Sequence, residues 1–258
     1  MNRLHIIASG SKANAYIVET DNFMLLVDQG LSYKEFSRRT ELLNIDIFKI
    51  RGILLTHEHE DHMKGVAYTA YKLDAPIFST AKTLEILNKN AKHPIHCRIV
   101  EKNCKIKFGS FEITPFEVMH DAVDPVGFFI SMPEGESLCF ATDTGRITNR
   151  MMSYINMGSH IVIEANHDPA MLYQNRHYPI ELKERIRGSY GHLSNDQSLE
   201  ALERTSGNQL KTVVFGHLSE ENNSASILKP MVINFRQTHS MNFKAFIACQ
   251  NKPSSICL

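Results

Sequence analysis

The sequence predicts an α/β chain built as an αββα sandwich, two mixed β-sheets packed face to face with helices on both outer sides. Three observations lead there. Short strand-like runs dominate the first part of the chain, strand and helix patterns alternate in the second half, and four apolar strands each run directly into polar, metal-capable residues.

The elements can be justified in order. "RLHIIA", "AYIVET" and "NFMLLVD" are strand-like, the last two joined by the turn-like Asp21–Asn22. "LSYKEFSRRTELL" has helical spacing, and the apolar "IRGILLTH" follows as a buried strand. "MKGVAYTAYKL" returns to helical spacing, so the stretch between, "THEHEDH" at residues 56–62, sits on a turn from strand tip into helix. "APIFST" and "AKTLEILNK" repeat the strand-helix pattern, and "KIKFGSFEITPFEVMH" reads as a hairpin turning at Gly109. "VGFFISM" and "SLCFATD" are strands. "RMMSYIN", "HIVIEAN", "SLEALERT" and "KTVVFGH" then alternate, before a helix near residues 224–237 and a last strand "FKAFIAC".

Composition bounds the answer. The 258 residues can bury a substantial core. No repeat, low-complexity tract or linker interrupts them, so a single domain over residues 1–258 is expected. Lys plus Arg and Asp plus Glu number 28 each, so bulk charge argues neither for nor against a nucleic-acid partner. Cys97, Cys104, Cys139, Cys249 and Cys257 are scattered and odd in number, which reads as reduced thiols rather than a disulfide scaffold or zinc ribbon. The N-terminus reads as a first strand, not a signal peptide, and no run approaches the roughly 18 apolar residues that span a membrane. A cytoplasmic location without membrane attachment is expected.

The four strands with polar ends are "GILLTH", "LCFATD", "IVIEANHD" and "VVFGH". In α/β folds ligands bind outside the carboxyl ends of strands, so these ends are expected to converge on one site. Within "THEHEDH" the candidate ligands are too close together for one small ion. His57 and His59 can face one metal while Asp61 and His62 face a second, and Glu58 and Glu60 alternate to the solvent side. Two ions roughly 3.5–4 Å apart would stabilise the attacking and leaving oxygens of a displacement, and would need further ligands, including a bridging carboxylate.

"THEHEDH" resembles the signature of the metallo-β-lactamase superfamily, and the likeness continues through "EVMHDAVDP", "FATDTG" and "VVFGHLSEENN". The resemblance implies a metallo-β-lactamase sandwich with two divalent metals, zinc or manganese, with iron as a further candidate. His57, His59 and His120 would hold the first; Asp61, His62 and His217 would hold the second; Asp143 would lie between them. Relatives with a di-iron redox centre typically carry glutamate where this chain has His59, so the resemblance favours hydrolysis. "IVIEANHDPAML" and "RGSYGHLSN" resemble the nuclease branch, in which Glu164 would position and polarise His192 as proton donor to the departing ribose 3′-oxygen. His167 and Asp168 of "NHDP" carry no catalytic weight in this reading.

The order of motifs from "SGSKANAYIVE" to "HLSEENN" is similar to that of the YycJ/WalJ group of this superfamily. That resemblance implies a 5′-to-3′ DNA exonuclease with DNA ahead of RNA as partner, DNA-repair proteins as further partners, and no inserted cap domain. In-line attack on a phosphodiester would use Asp61 to orient the nucleophile as well as to bind metal, and His192 as acid. Ser9, Lys12 and Asn14 of "SGSKAN" are candidate phosphate contacts, although the stretch reads equally as a polar turn. Lys183, Arg185 and Arg187 read either as a phosphate track or as a solvated helix face. The alternatives are a hydrolase of the same fold for a thioester, lactone or cyclic phosphate, and a non-catalytic regulator that keeps the metal site. An enclosed apolar pocket would favour the small substrate.

Overall fold

The structure is a computed structural model, and it describes residues 2–21, 23–205 and 209–258. The expected turn at Asp21–Asn22 therefore lies partly outside the described residues. The first sheet contains β1 (Arg3–Ala8), β2 (Ala15–Thr20), β3 (Phe23–Val27), β4 (Ile50–Leu54), β5 (Ile77–Ser79), β6 (Cys97–Ile99) and β14 (Ser254–Cys257), in the order β14-β1-β2-β3-β4-β5-β6. The second contains β7 (Ile106–Phe108), β8 (Phe111–Glu117), β9 (Val126–Ser131), β10 (Ser137–Ala141), β11 (His160–Glu164), β12 (Thr212–Gly216) and β13 (Lys244–Ile247), in the order β13-β12-β11-β10-β9-β8-β7. Each sheet begins with antiparallel hairpins and ends in parallel pairs: β3-β4-β5-β6 in the first and β10-β11-β12-β13 in the second.

Alternation along the strands makes the layers. Leu138 and Phe140 of β10 point between the sheets, where they meet Tyr16, Val18, Leu25 and Val27 of the first sheet. Cys139 and Ala141 of the same strand point outward, onto α5 (Asn149–Met157), α8 (Asn195–Glu203) and α9 (Ala225–Thr238). The outer face of the first sheet is covered by α1 (Tyr33–Leu42), α3 (Val66–Leu73) and α4 (Ala81–Asn90) through Phe36, Val66, Ala70 and Leu84. Three cores therefore separate four layers, the αββα sandwich expected.

Two strands differ from the expectation. β6 and β14 carry no alternating apolar pattern, and "FKAFIAC" is not the last strand. β14 has one buried residue, Ile256, and forms by pairing Leu4 with Ile256 along the edge of β1. Tertiary pairing, not local propensity, makes it a strand. The hairpin turn at Gly109 is as expected: its φ of +59° places it in the left-handed region that glycine enters without strain.

Between the sheets, Phe140 is fully buried and meets Tyr16 edge-on at 4.8 Å between ring centres. Phe140→Ala is expected to cost about 3–5 kcal/mol in chemical denaturation. A loss under about 1 kcal/mol would show that this layer is not closely packed.

Candidate metal centre

Parallel pairing places strand ends side by side. β10, β11 and β12 run in the same direction with Ala141 opposite Ile163 and Glu164 opposite Gly216, so Asp143, Glu164 and His217 emerge together. In the first sheet β3 lies parallel to β4, and Asp28 N donates to Leu54 O just before Thr56 and His57. Asp28, Asp143 and His217 have φ of +55°, +56° and +53°. This left-handed geometry costs a side-chain-bearing residue on the order of 1–3 kcal/mol, and such costs cluster at functional sites. The motif helix α2 (Glu60–Met63) comes so close to the loop after β3 that a Cβ on Gly30 would lie 1.8 Å from Asp61 O. Glycine is required there.

The side chains form two adjoining groups of three. His57, His59 and His120 bring a nitrogen each within metal-binding reach of one another, as do Asp61, His62 and His217 through their nitrogens and a carboxylate oxygen. Asp143 reaches both neighbourhoods, grouping with His57 and His62 on one side and with Glu164, His192 and His217 on the other. The imidazoles are fixed from behind. Asp28, fully buried, accepts from Thr56 N and Thr56 Oγ1, both at 2.8 Å, and lies 2.8 Å from His62 Nδ1. His120 Nδ1 lies 3.1 Å from Gly191 O, which leaves Nε2 facing His59 Nδ1 at 3.2 Å.

The donor set suits a divalent cation. His57 Nε2, Asp143 Oδ2 and His217 Nδ1 are buried without a hydrogen-bond partner, a costly arrangement unless something else satisfies them. His217 Nδ1 lies 2.8 Å from Asp143 Oδ1 and 3.1 Å from Glu164 Oε1, yet aligned with neither. Burial drives His57 well below the usual imidazole range, so it presents a neutral lone pair. Burial opposes charge on His62 and His217 too, but Asp143 and the neighbouring carboxylates raise both well above that range. The carboxylates thus create a field that demands positive charge, which two metals would supply.

Glu164 and His192 meet although 28 positions apart: His192 Nδ1 lies 2.6 Å from Glu164 Oε1. Glu164 is fully buried, and its Oε2 accepts from Thr144 N at 3.0 Å and Leu193 N at 3.2 Å. Burial pushes its carboxyl up, but His192, with His217, outweighs this and holds it at about 2. His192 is beside the cluster, its ring 5.0 Å from that of His120 and 5.2 Å from that of His217. Its side chain is 20% exposed and lines an open cleft of about 210 Å³, with His59, Asp61, Asp143, Arg185 and Ser11 among the other walls.

The remaining residues are placed as follows, some as expected and some not. Ser9 and Asn14 are buried and not free for phosphate: Ser9 Oγ accepts from Tyr16 OH at 2.5 Å and from His217 N at 2.8 Å, while Asn14 Nδ2 donates to Asp61 Oδ2 at 3.2 Å and sits 3.0 Å from His62 Nε2. Lys12 pairs with Glu220 at 2.5 Å, and the loop residue that reaches the cleft is Ser11. Glu58 is not a solvent-side residue; its Oε1 accepts from Val123 N at 2.7 Å and holds the loop after His120. Glu60 is exposed. Of the three basic residues on α7 (Ile180–Arg187), Arg185 reaches the cleft, with Nε 2.5 Å from Asp121 Oδ2. Asp168 caps α6 (Pro169–Gln174) by accepting from Met171 N at 2.8 Å.

Sequence reasoning assigned no role to Asp28, Thr56 or Asp121. A signal existed for Asp28, since "LLVD" is a further apolar strand ending in a carboxylate.

Such a site, at the strand ends of an αββα sandwich, defines a class of metallohydrolase folds, and residues 24–217 match the beta-lactamase superfamily domain. The chain belongs to that superfamily, in the group of the YycJ- and WalJ-type proteins. It is 37% identical over 234 residues to "Exodeoxyribonuclease WalJ" of Streptococcus pneumoniae, covering 89% of this chain and 86% of that one. It is 35% identical over 231 residues to "Exodeoxyribonuclease YycJ" of Bacillus anthracis, covering 88% and 86%. The crystal structure of the metallo-beta-lactamase fold protein YhfI from Bacillus subtilis superposes with a TM-score of 0.71 at 14% identity, over 99% of each chain, and shares the fold.

Two outcomes follow. Asp28→Asn, which removes the carboxylate behind His62, is expected to weaken metal binding about 10–100-fold in competition with a chromophoric chelator; unchanged affinity would show that His62 needs no such support. A carboxyl held at about 2 against an ordinary 4.5 stabilises the fold fully above pH 4.5 and loses that contribution as pH falls towards 2. Melting temperatures measured across that window should therefore fall less steeply for Glu164→Gln than for the parent.

Proposed function

We propose that this chain is a two-metal phosphodiesterase acting as a 5′-to-3′ DNA exonuclease that releases 5′-phosphorylated nucleotides. The observation that carries the reading is the Glu164–His192 pair beside the two ligand groups. A hydrolase of activated acyl groups has little use for a second acid there, whereas a departing 3′-alkoxide needs a proton. The names of the two exodeoxyribonuclease relatives support DNA ahead of RNA.

In this reading His57, His59 and His120 would hold one ion, Asp61, His62 and His217 would hold the other, and Asp143 is within reach of both groups. Bound there, zinc or manganese, or iron, would polarise the phosphoryl oxygens and supply a nucleophile from water at neutral pH. Asp61, whose carboxylate lines the cleft, orients the attacking water in line with the scissile bond. Glu164 fixes the His192 ring through Nδ1, which leaves Nε2 to give its proton to the ribose 3′-oxygen. Arg185 lies at the cleft where a phosphate would pass. Leu182, Arg185 and Ile186 of α7 form one wall of the cleft.

The cleft is open and lined mainly by histidine, aspartate and arginine, which keeps the small-molecule hydrolase second, since that reaction calls for an enclosed apolar pocket. Among the described residues no helix is long and apolar enough to cross a membrane.

The test is 5′-phosphorylated DNA labelled at either end, incubated with Mn²⁺ or Zn²⁺, with RNA in parallel. Mononucleotides should leave from the 5′ end, about 10²–10⁴-fold more slowly with His192→Ala and not at all with Asp143→Ala. If neither metal supports cleavage of either polymer, the nuclease reading is wrong and the small-molecule hydrolase takes its place.

A further inference from the structure

α7 has two working faces. Leu182, Arg185 and Ile186 line the metal cleft, while Ile180, Lys183, Glu184 and Arg187 line a second pocket. At 100° per residue these sets lie on opposite sides of the helix, so one helix separates two adjoining cavities.

The second cavity holds about 370 Å³. Its apolar walls are Pro169, Leu172, Tyr173 and Ile180, with Tyr173 82% and Ile180 71% exposed. Single exposed apolar side chains need no explanation, but two that wall one pocket beside a reactive centre do. Its inner end is His167, 3% exposed, with Nδ1 buried and without a hydrogen-bond partner. Its backbone is pinned, since Asn195 N donates to His167 O at 2.9 Å. It follows Glu164 by three positions and lies within the electrostatic reach of both Glu164 and His192. Burial drives it down to about 4, so it is neutral and carries one donor and one acceptor.

We infer that this pocket is a nucleobase subsite for the strand being cut, with Tyr173 as the stacking face and His167 as the hydrogen-bonding end, an inference that rests on the phosphodiesterase reading above. Base edges mix donors and acceptors, as a neutral imidazole does, and every base has a ring face to stack. A cavity of about 370 Å³ falls in the range that takes small molecules. The rim carries two cations, Lys183 and Arg187, and one carboxylate, Glu184. Lys183 Nζ donates to Tyr173 O at 2.7 Å and keeps further donors, and Arg187 pairs with Glu184 at 2.6 Å. Both cations line the same pocket as Tyr173 and not the metal cleft.

The test compares parent, Tyr173→Ala and Tyr173→Phe on three substrates: a 5′-phosphorylated oligodeoxynucleotide, the same oligomer with abasic sites at its 5′ end, and bis(p-nitrophenyl) phosphate. Tyr173 is exposed, so the variants should fold. Tyr173→Ala is expected to raise KM for the normal oligomer about tenfold with kcat unchanged, to leave the abasic oligomer and the small diester alone, and to be rescued by Tyr173→Phe. An equal rise on the abasic oligomer, or no change on the normal one, would overturn the subsite. Saturation-transfer NMR with dAMP, and with deoxyribose 5-phosphate as control, adds an arm that does not depend on turnover. Base-proton transfer lost in Tyr173→Ala supports the subsite, and base-proton transfer unaffected by that change rejects it. If the parent cleaves nothing yet shows Tyr173-dependent transfer, the phosphodiesterase reading falls and the base site stands. If it cleaves nothing and shows no transfer, both fall.

Discussion

Everything around the centre follows from one electrostatic constraint. Asp28, Asp61, Asp143 and Glu164 are gathered with six histidines near the ends of buried strands, and three of the four carboxylates are almost fully out of water. Such a collection is unstable unless positive charge is placed among the carboxylates. The fold meets part of that demand itself, by holding His62 and His217 far above their ordinary range. The rest of the local structure keeps the groups from moving apart: left-handed turns at Asp28, Asp143 and His217, glycine where Asp61 presses on the loop at Gly30, and Ser9 gripping the amide of His217.

How much of this was legible depended on whether the signal was local. "THEHEDH" packs four candidate ligands into one turn, and the apolar strands before Asp143, Glu164 and His217 mark those residues by position. The alternating strands gave away the two sheets for the same reason. Ser9 and Asn14 misled because a polar loop looks the same whether its side chains face water or turn inward to carry a ligand's backbone and ring. Glu58 misled because alternation places a side chain on a face but does not say that Val123 N will come to meet it. β14 was invisible because its strand character comes from β1, at the opposite end of the chain.

The segment between β11 and α8 contributes Leu182, Arg185, Ile186, Gly191 and His192 to the cleft wall. It adds α6 and α7 without adding a layer to the sandwich, and α7 buries none of its residues fully. A helix so lightly attached to the core is held by side-chain contacts such as Arg185–Asp121 and Lys183–Tyr173, which leaves both of its faces available to the cavities. Loops and short helices of this kind carry specificity on a rigid scaffold, and they can change without disturbing the ligands beneath.

The candidate ligand groups also divide between the sheets. His57, His59, Asp61 and His62 follow a strand of the first, whereas His120, Asp143 and His217 follow strands of the second. Neither sheet supplies a complete set, so a cation that binds here is a fastener across the seam between the sheets. By linkage it must favour the joined state over the separated one, by about 2.7 kcal/mol for one ion at a hundred times its Kd. A cell short of metal would then hold a protein that is both less active and easier to open, and the loss of activity and the loss of the folded chain would share one cause.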